Sequence, residues 1–139
     1  MDRSILILED HPATRIALRK WLEVTFPQYT ILEATNAQNM LNQIIDVHPQ
    51  FILIDLNLSF SDIIRVTQAV KHKLPETKII MLATCEDECY RLAALDAGAN
   101  AYVIKHKMYT ELVPTLCKFL DTSLYYCDSD KSTIWPVER

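Results

Sequence analysis

Four stretches of this chain are apolar almost throughout rather than at every second residue. They are Ser4–Leu8 (SILIL), Gln50–Leu56 (QFILIDL), Lys78–Ala83 (KIIMLA) and the shorter Ala101–Ile104 (AYVI). A strand with one face in water alternates apolar and polar residues, whereas a strand covered on both faces does not need to. Between the runs lie helical stripes. Ala17, Leu18, Trp21 and Leu22 mark a helix over Pro12–Phe26, with Pro12 placed for its first turn. Tyr29–Glu33 (YTILE) is a weaker strand. Asn36 then caps a helix whose stripe is Ala37, Met40, Leu41, Ile44 and Ile45. Ile63, Val66 and Val70 share one face of a helix from about Asp62 to His72. Asp87–Ala97 reads as a helix stopped by Gly98. A last helix starts near Thr110, with Pro114 in or just past its first turn. Strand and helix alternate five times, which predicts an α/β sandwich around a parallel sheet, with ligands bound outside the carboxyl ends of the strands.

The 139 residues suit one domain, and half of them are hydrophobic, enough for a real core. From about Asp121 the pattern is lost. The ordered unit is therefore set at residues 1–121, and 122–139 are read as a tail, a linker or a short docked extension. With 14 basic and 18 acidic residues the net charge is −4, and no basic cluster suggests that this segment grips nucleic acid. The opening MDRSILILED has too short an apolar run for a signal core or a membrane span, so a cytoplasmic location without membrane contact is expected. Cys85, Cys89, Cys117 and Cys127 form no C-x-x-C pair and are read as small hydrophobic side chains in a reducing compartment. Gly98 is the single glycine, where average usage would give about ten.

Asp55 interrupts one of the most apolar runs, and an unmet carboxylate there costs several kcal/mol. Other polar residues stand at the strand ends as well: Glu9-Asp10 after the first, Ala83-Thr84 at the fourth and Lys105 after the fifth. A parallel sheet brings these ends to one edge. Two carboxylates about 4 Å apart repel by roughly 4 kcal/mol at an effective dielectric near 20, so the cluster requires cations. Oxygen-only ligands favour a hard ion, Mg²⁺ most readily, and Lys105 supplies a fixed positive charge. Metal, lysine and hydroxyl around one carboxylate suit the steadying of a phosphoryl group on that carboxylate.

These residues carry a resemblance. Glu9-Asp10, Asp55 some 45 residues after Asp10, and Ala101-Tyr-Val-Ile-Lys105 are similar to the receiver domains of bacterial two-component response regulators over about residues 3–120. Glu9-Asp10-His11-Pro12 with Arg15 and Leu18-Arg19 resembles the LuxR/NarL-type subfamily. The resemblance implies a doubly wound, flavodoxin-like (βα)5 sandwich with strand order 2-1-3-4-5. It implies that Asp55 accepts a phosphoryl group from a sensor histidine kinase or phosphotransfer protein. Glu9, Asp10, Asp55 and the backbone carbonyl of Asn57 would hold Mg²⁺, and Lys105 would contact a phosphoryl oxygen. Tyr102 would be the aromatic switch, and the face of the fourth helix, fifth strand and fifth helix the output. A homodimer and a DNA-binding partner domain outside this chain fit the same family. Such a receiver is no enzyme beyond assisting its own phosphotransfer and dephosphorylation.

Two departures stand out. Counting back about 22 residues from Lys105 places Ala83 where the family has a Ser or Thr hydroxyl, with Thr84 next to it and, by strand alternation, facing the other way. The loop after Asp55 has neither Pro nor Gly, and Ser59 or Ser61 would have to supply a cap. An alternative reading is therefore a receiver-like interaction module with weakened or phosphorylation-independent switching. A third, an aspartyl-phosphate phosphatase of the haloacid-dehalogenase type, rests only on Asp55-Leu-Asn57.

Overall fold

The computed structural model describes residues 2–55, 60–84, 86–120, 125–128 and 133–136. Five parallel strands form one sheet: β1 (Asp2–Leu8), β2 (Thr30–Ala34), β3 (Pro49–Asp55), β4 (Lys78–Ala83) and β5 (Ala101–Ile104), in spatial order 2-1-3-4-5. The helices between and after them are α1 (Pro12–Thr25), α2 (Ala37–Gln43), α3 (Phe60–Lys73), α4 (Glu88–Ala97) and α5 (Met108–Cys117). The doubly wound sandwich expected from the alternation is the observed fold.

The continuous runs have the predicted cause. Ile5, Ile7, Phe51, Leu53, Ile80, Leu82 and Val103 face α1 and α5, packing on Leu18, Leu22, Leu112 and Leu116. Their alternates Leu6, Leu8, Ile52, Ile54, Ile79 and Met81 face the other side, against Met40, Ile63, Val66, Val70 and Ala94 of α2, α3 and α4. A fully buried aliphatic side chain stabilises by about 1.5–3 kcal/mol, so the central strands carry much of the drive to fold.

Local chemistry sets the helix ends. His11 caps α1, its Nδ1 accepting from Thr14 N at 3.3 Å. Asn36 caps α2 through Oδ1 and Asn39 N at 2.7 Å, and Asp87 caps α4 through Cys89 N at 2.8 Å. Gly98 ends α4 at φ 122°, in the region that favours glycine. A Cβ there would also stand 2.7 Å from Lys71 Cγ on α3.

Four details differ from the sequence reading. Helix α2 ends at Gln43, so Ile44 is buried from a following turn and Ile45 is 57% exposed, outside the apolar stripe. Helix α3 begins at Phe60, which places Ser61 inside the helix rather than at its cap, while Ser59 lies outside the described residues. Helix α5 begins at Met108, after a 3-10 turn over Lys105–Lys107, so Pro114 sits in the helix interior and denies Thr110 a backbone partner. Cys117 is disulfide-bonded rather than a free hydrophobic thiol, its partner lying outside the described side chains, whereas Cys89 is free and exposed. Beyond α5 the chain forms an antiparallel hairpin of β6 (Tyr125–Asp128) and β7 (Thr133–Pro136), in register Tyr126–Trp135. Among the described residues no helix is long and apolar enough to cross a membrane.

Candidate functional site

The site stands at the carboxyl edge of the sheet. Asp55 is the last residue of β3, paired in register with Leu82 of β4, and continues the Phe51–Leu53 row that faces α1 and α5. It is only 5% exposed. Glu9 follows β1 directly and is fully buried, and Lys105 follows β5. Topology alone makes them neighbours: β3 lies between β1 and β4, and β5 lies beside β4.

Lys105 Nζ lies 2.5 Å from Asp55 Oδ2 and 3.7 Å from Glu9 Oε2. Burial by itself would lower the Lys105 ammonium. Hydrogen bonding and charge from Asp55, then from Glu9, outweigh burial and hold the ammonium above its usual range. Glu9 moves the opposite way. Burial first, and then the neighbouring Asp55 carboxyl, push it up to about 7 against the pull of the His11 amide and Lys105. Two carboxyl groups and one ammonium therefore share a pocket whose charge turns net negative only as Glu9 loses its proton.

The atoms of Glu9 are held one by one. Its N–H donates to Ala34 O at 3.2 Å, its carbonyl accepts from Arg15 Nη1 at 3.1 Å, and its Oε1 accepts from the backbone N–H of His11 at 3.0 Å. Oε2 is buried and has no hydrogen-bond partner. Lys105 Nζ at 3.7 Å is beyond hydrogen-bond reach, so a closer cation would relieve the cost of this buried oxygen. Asp55 and Glu9 thus offer oxygen donors that fit a hard divalent ion, which takes few carboxylates and keeps much of its water. They do not form a closed cage. Asp10 is exposed, and among the described residues no group of three or more His, Cys, Asp or Glu side chains is gathered to hold a metal.

The remaining predicted residues fall into two groups. Ala83 ends β4, is 6% exposed and pairs in register with Ile104, while Thr84 lies in a bend just past the strand and is exposed. Tyr102 is half-buried on β5 and packs against the core on the α2–α4 side. It shares that side with Met81 and, by alternation, with Ala83. Asn57 and Leu58 lie outside the described residues, as does the side chain of Phe60. His11 and His106 are exposed, and the role His11 plays is the α1 cap. In the sequence Arg15 stands out only as part of a likeness. Its bond to the Glu9 carbonyl spans six residues and depends on how α1 folds back over the end of β1, so residue type alone gave no sign of it.

The response regulator receiver domain family matches residues 5–116. The chain belongs to that family. Among its relatives, the response regulator protein VraR of Staphylococcus aureus is 31% identical over 107 residues, 76% of this chain and 50% of that protein. VraR of Staphylococcus saprophyticus is 27% identical over 120 residues, 85% of this chain and 56% of that protein. The receiver therefore spans about half the length of the curated relatives it matches. Similar solved structures include the chemotaxis response regulator CheY4 of Vibrio cholerae, with TM-score 0.74 and 20% identity over 86% of this chain and 100% of that one. RcsB from Salmonella enterica serovar Typhimurium, bound to promoter rprA with a phosphomimetic, has TM-score 0.72 and 22% identity over 83% of this chain and 66% of that one. Both likenesses bear on the fold, which they share with this receiver.

Proposed function

We propose that this receiver, of LuxR/NarL type, is switched by phosphorylation of Asp55 by a sensor histidine kinase or phosphotransfer protein. The observation that carries this reading is the buried Asp55 carboxylate, ion-paired to Lys105 beside the buried Oε2 of Glu9, which makes no hydrogen bond and has the same ammonium 3.7 Å away. Asp55 is the nucleophile. Lys105 neutralises it in the resting protein and turns to a phosphoryl oxygen once the aspartyl phosphate forms, so one charge serves both states. Glu9, Asp10, Asp55 and the backbone carbonyl of Asn57 would hold Mg²⁺, which supplies the positive charge that phosphoryl oxygens need in transfer. Burial on the sheet edge keeps competing water from the reacting carboxylate.

The output would be the surface of α4, β5 and α5, with Tyr102 responding at β5. A second copy of the chain is a candidate partner for that surface. Transcription control would pass through a DNA-binding domain outside these 139 residues, in keeping with the promoter-bound state of RcsB. In this reading the protein works in the cytoplasm and turns over no substrate beyond its own phosphoryl group.

Incubation with Mg²⁺ and acetyl phosphate, followed by intact mass measurement, should show one added phosphoryl group on the wild type and none on Asp55→Asn. A gain that persists in the variant would overturn the assignment. One observation favours a second reading, an interaction module that signals without phosphorylation: no hydroxyl stands at Ala83, and Thr84 lies beyond the strand. That reading expects the amide NMR signals of α4, β5 and α5 to stay put when phosphodonor is added.

A further inference from the structure

Arg15 is half-buried on the first turns of α1, its side chain 16% exposed, and it touches neither carboxylate of the phosphorylation site. It binds instead the backbone of the residue that carries one of them. Nη1 donates to the Glu9 carbonyl at 3.1 Å, and Nε lies 3.8 Å from Glu33 Oε1 on β2. Glu33 is itself fixed from two sides: Arg19 Nη1 meets Oε2 at 2.8 Å, and Gln43 Nε2 donates to its carbonyl at 2.7 Å. The chain from Glu9 to Arg15 is closed at both ends, because His11 Nδ1 and His11 O accept from the Thr14 and Arg15 amides of the same turn. Glu9 lies just beyond the last strand pairing of β1, where its N–H is still held by Ala34 O on β2 and its carbonyl is held by Arg15.

We propose that Arg15 is a positioning residue for the acidic pair. It clamps the Glu9 main chain to β2 through Glu33, so that Oε2 remains aimed at the cation site. The inference rests on the phosphorylation reading above and deepens it. The chemistry suits arginine in particular. A rigid fork can serve a carbonyl and a carboxylate at once, whereas a lysine ammonium on a flexible stem would hold one or the other. Because Arg15 takes the carbonyl and leaves Oε2 alone, it orders the ligand without competing with a metal for it. Outer partners of this kind commonly change metal affinity by about 10–100-fold when removed.

The test is a titration of MgCl2 into the whole chain, followed by calorimetry and by amide NMR shifts, for wild type, Arg15→Ala, Arg15→Lys and Glu33→Gln. Thermal melts in EDTA run alongside. The expected result is a Kd weakened about 10-fold in Arg15→Ala, less in Glu33→Gln, and only partly restored in Arg15→Lys. Variants that melt lower in EDTA yet bind Mg²⁺ as tightly as the wild type would show a purely structural arginine and overturn the proposal. Should Arg15→Ala fail to fold, Arg15→Lys and Glu33→Gln decide on the same criterion. A wild type that itself shows no Mg²⁺ binding would overturn the phosphorylation reading instead, so the two failures are distinct.

Discussion

Glu9 shows how one buried residue links stability to metal. Its folded-state carboxyl sits at about 7, against 4.5 for the ordinary group. Between those values the folded chain holds a proton that the unfolded chain has released. The Glu9 contribution to metal-free stability therefore falls as pH rises from about 4.5 to 7, then levels off. Urea denaturation in EDTA at pH 5 and pH 7.5 should show this loss in the wild type, on the order of 1–3 kcal/mol. The loss should be absent in Glu9→Gln, whose amide does not titrate, and identical pH profiles for the two proteins would refute the account. Ala83 allows a second residue-scale prediction. It is buried at the end of β4 on the Tyr102 side, so Ala83→Ser adds one hydroxyl with little extra volume. Acetyl phosphate should then move the Tyr102 amide signal further in Ala83→Ser than in wild type. An equal response would mean that position 83 does not couple the two ends of the site.

At the scale of elements, two helix positions have energetic consequences. Gly98→Ala forces a side chain onto φ 122° and into Lys71 Cγ, which should lower stability by about 1–3 kcal/mol. The double variant with Lys71→Ala relieves the contact but not the backbone strain, so it should recover only part of the loss in a melting experiment. Pro114 is the reverse case. It is exposed in the middle of α5, where proline costs about 3 kcal/mol relative to alanine. Its stiffening of the unfolded chain offsets up to about 1 kcal/mol. Pro114→Ala should raise the midpoint of thermal unfolding by several degrees, and no rise would mean that the helix has already adjusted around the ring. The sequence points to both positions, and the structure agrees with it at one. Gly98 is legible because a glycine after a helical stripe has a local cause. Periodicity puts Pro114 too near the helix start, because the 3-10 turn that brings the start back to Met108 is a matter of how the chain leaves β5.

On the scale of the whole molecule, the parallel sheet joins three segments far apart in sequence into one charged pocket. Glu9, Asp55 and Lys105 meet because β1, β3 and β5 end at the same edge. A ligand that binds the folded state alone must raise the stability of the whole. Mg²⁺ should therefore raise the unfolding midpoint of the wild type near neutral pH, and the rise should shrink in Asp55→Asn. A monovalent salt at the same ionic strength should not reproduce it, and one that did would reduce the effect to general screening.

The sequence by itself determined the sheet, its helices and the approximate position of the site. Continuous runs such as Phe51–Ile54 admit few arrangements other than a strand covered on both faces, and Asp55 at the end of one is too costly to be incidental. Tertiary structure decided what depends on non-local contact. It left Oε2 of Glu9 without a hydrogen bond, 3.7 Å from Lys105 Nζ, and tied the Glu9 carbonyl to Arg15. It left Asp10 exposed while burying Glu9 and Asp55, and paired residues 125–128 with 133–136 where the apolar pattern had lapsed. Periodicity records which face of an element is buried. Which atoms then meet at the edge depends on strand order, register and the turns between, and these are fixed only when the elements pack.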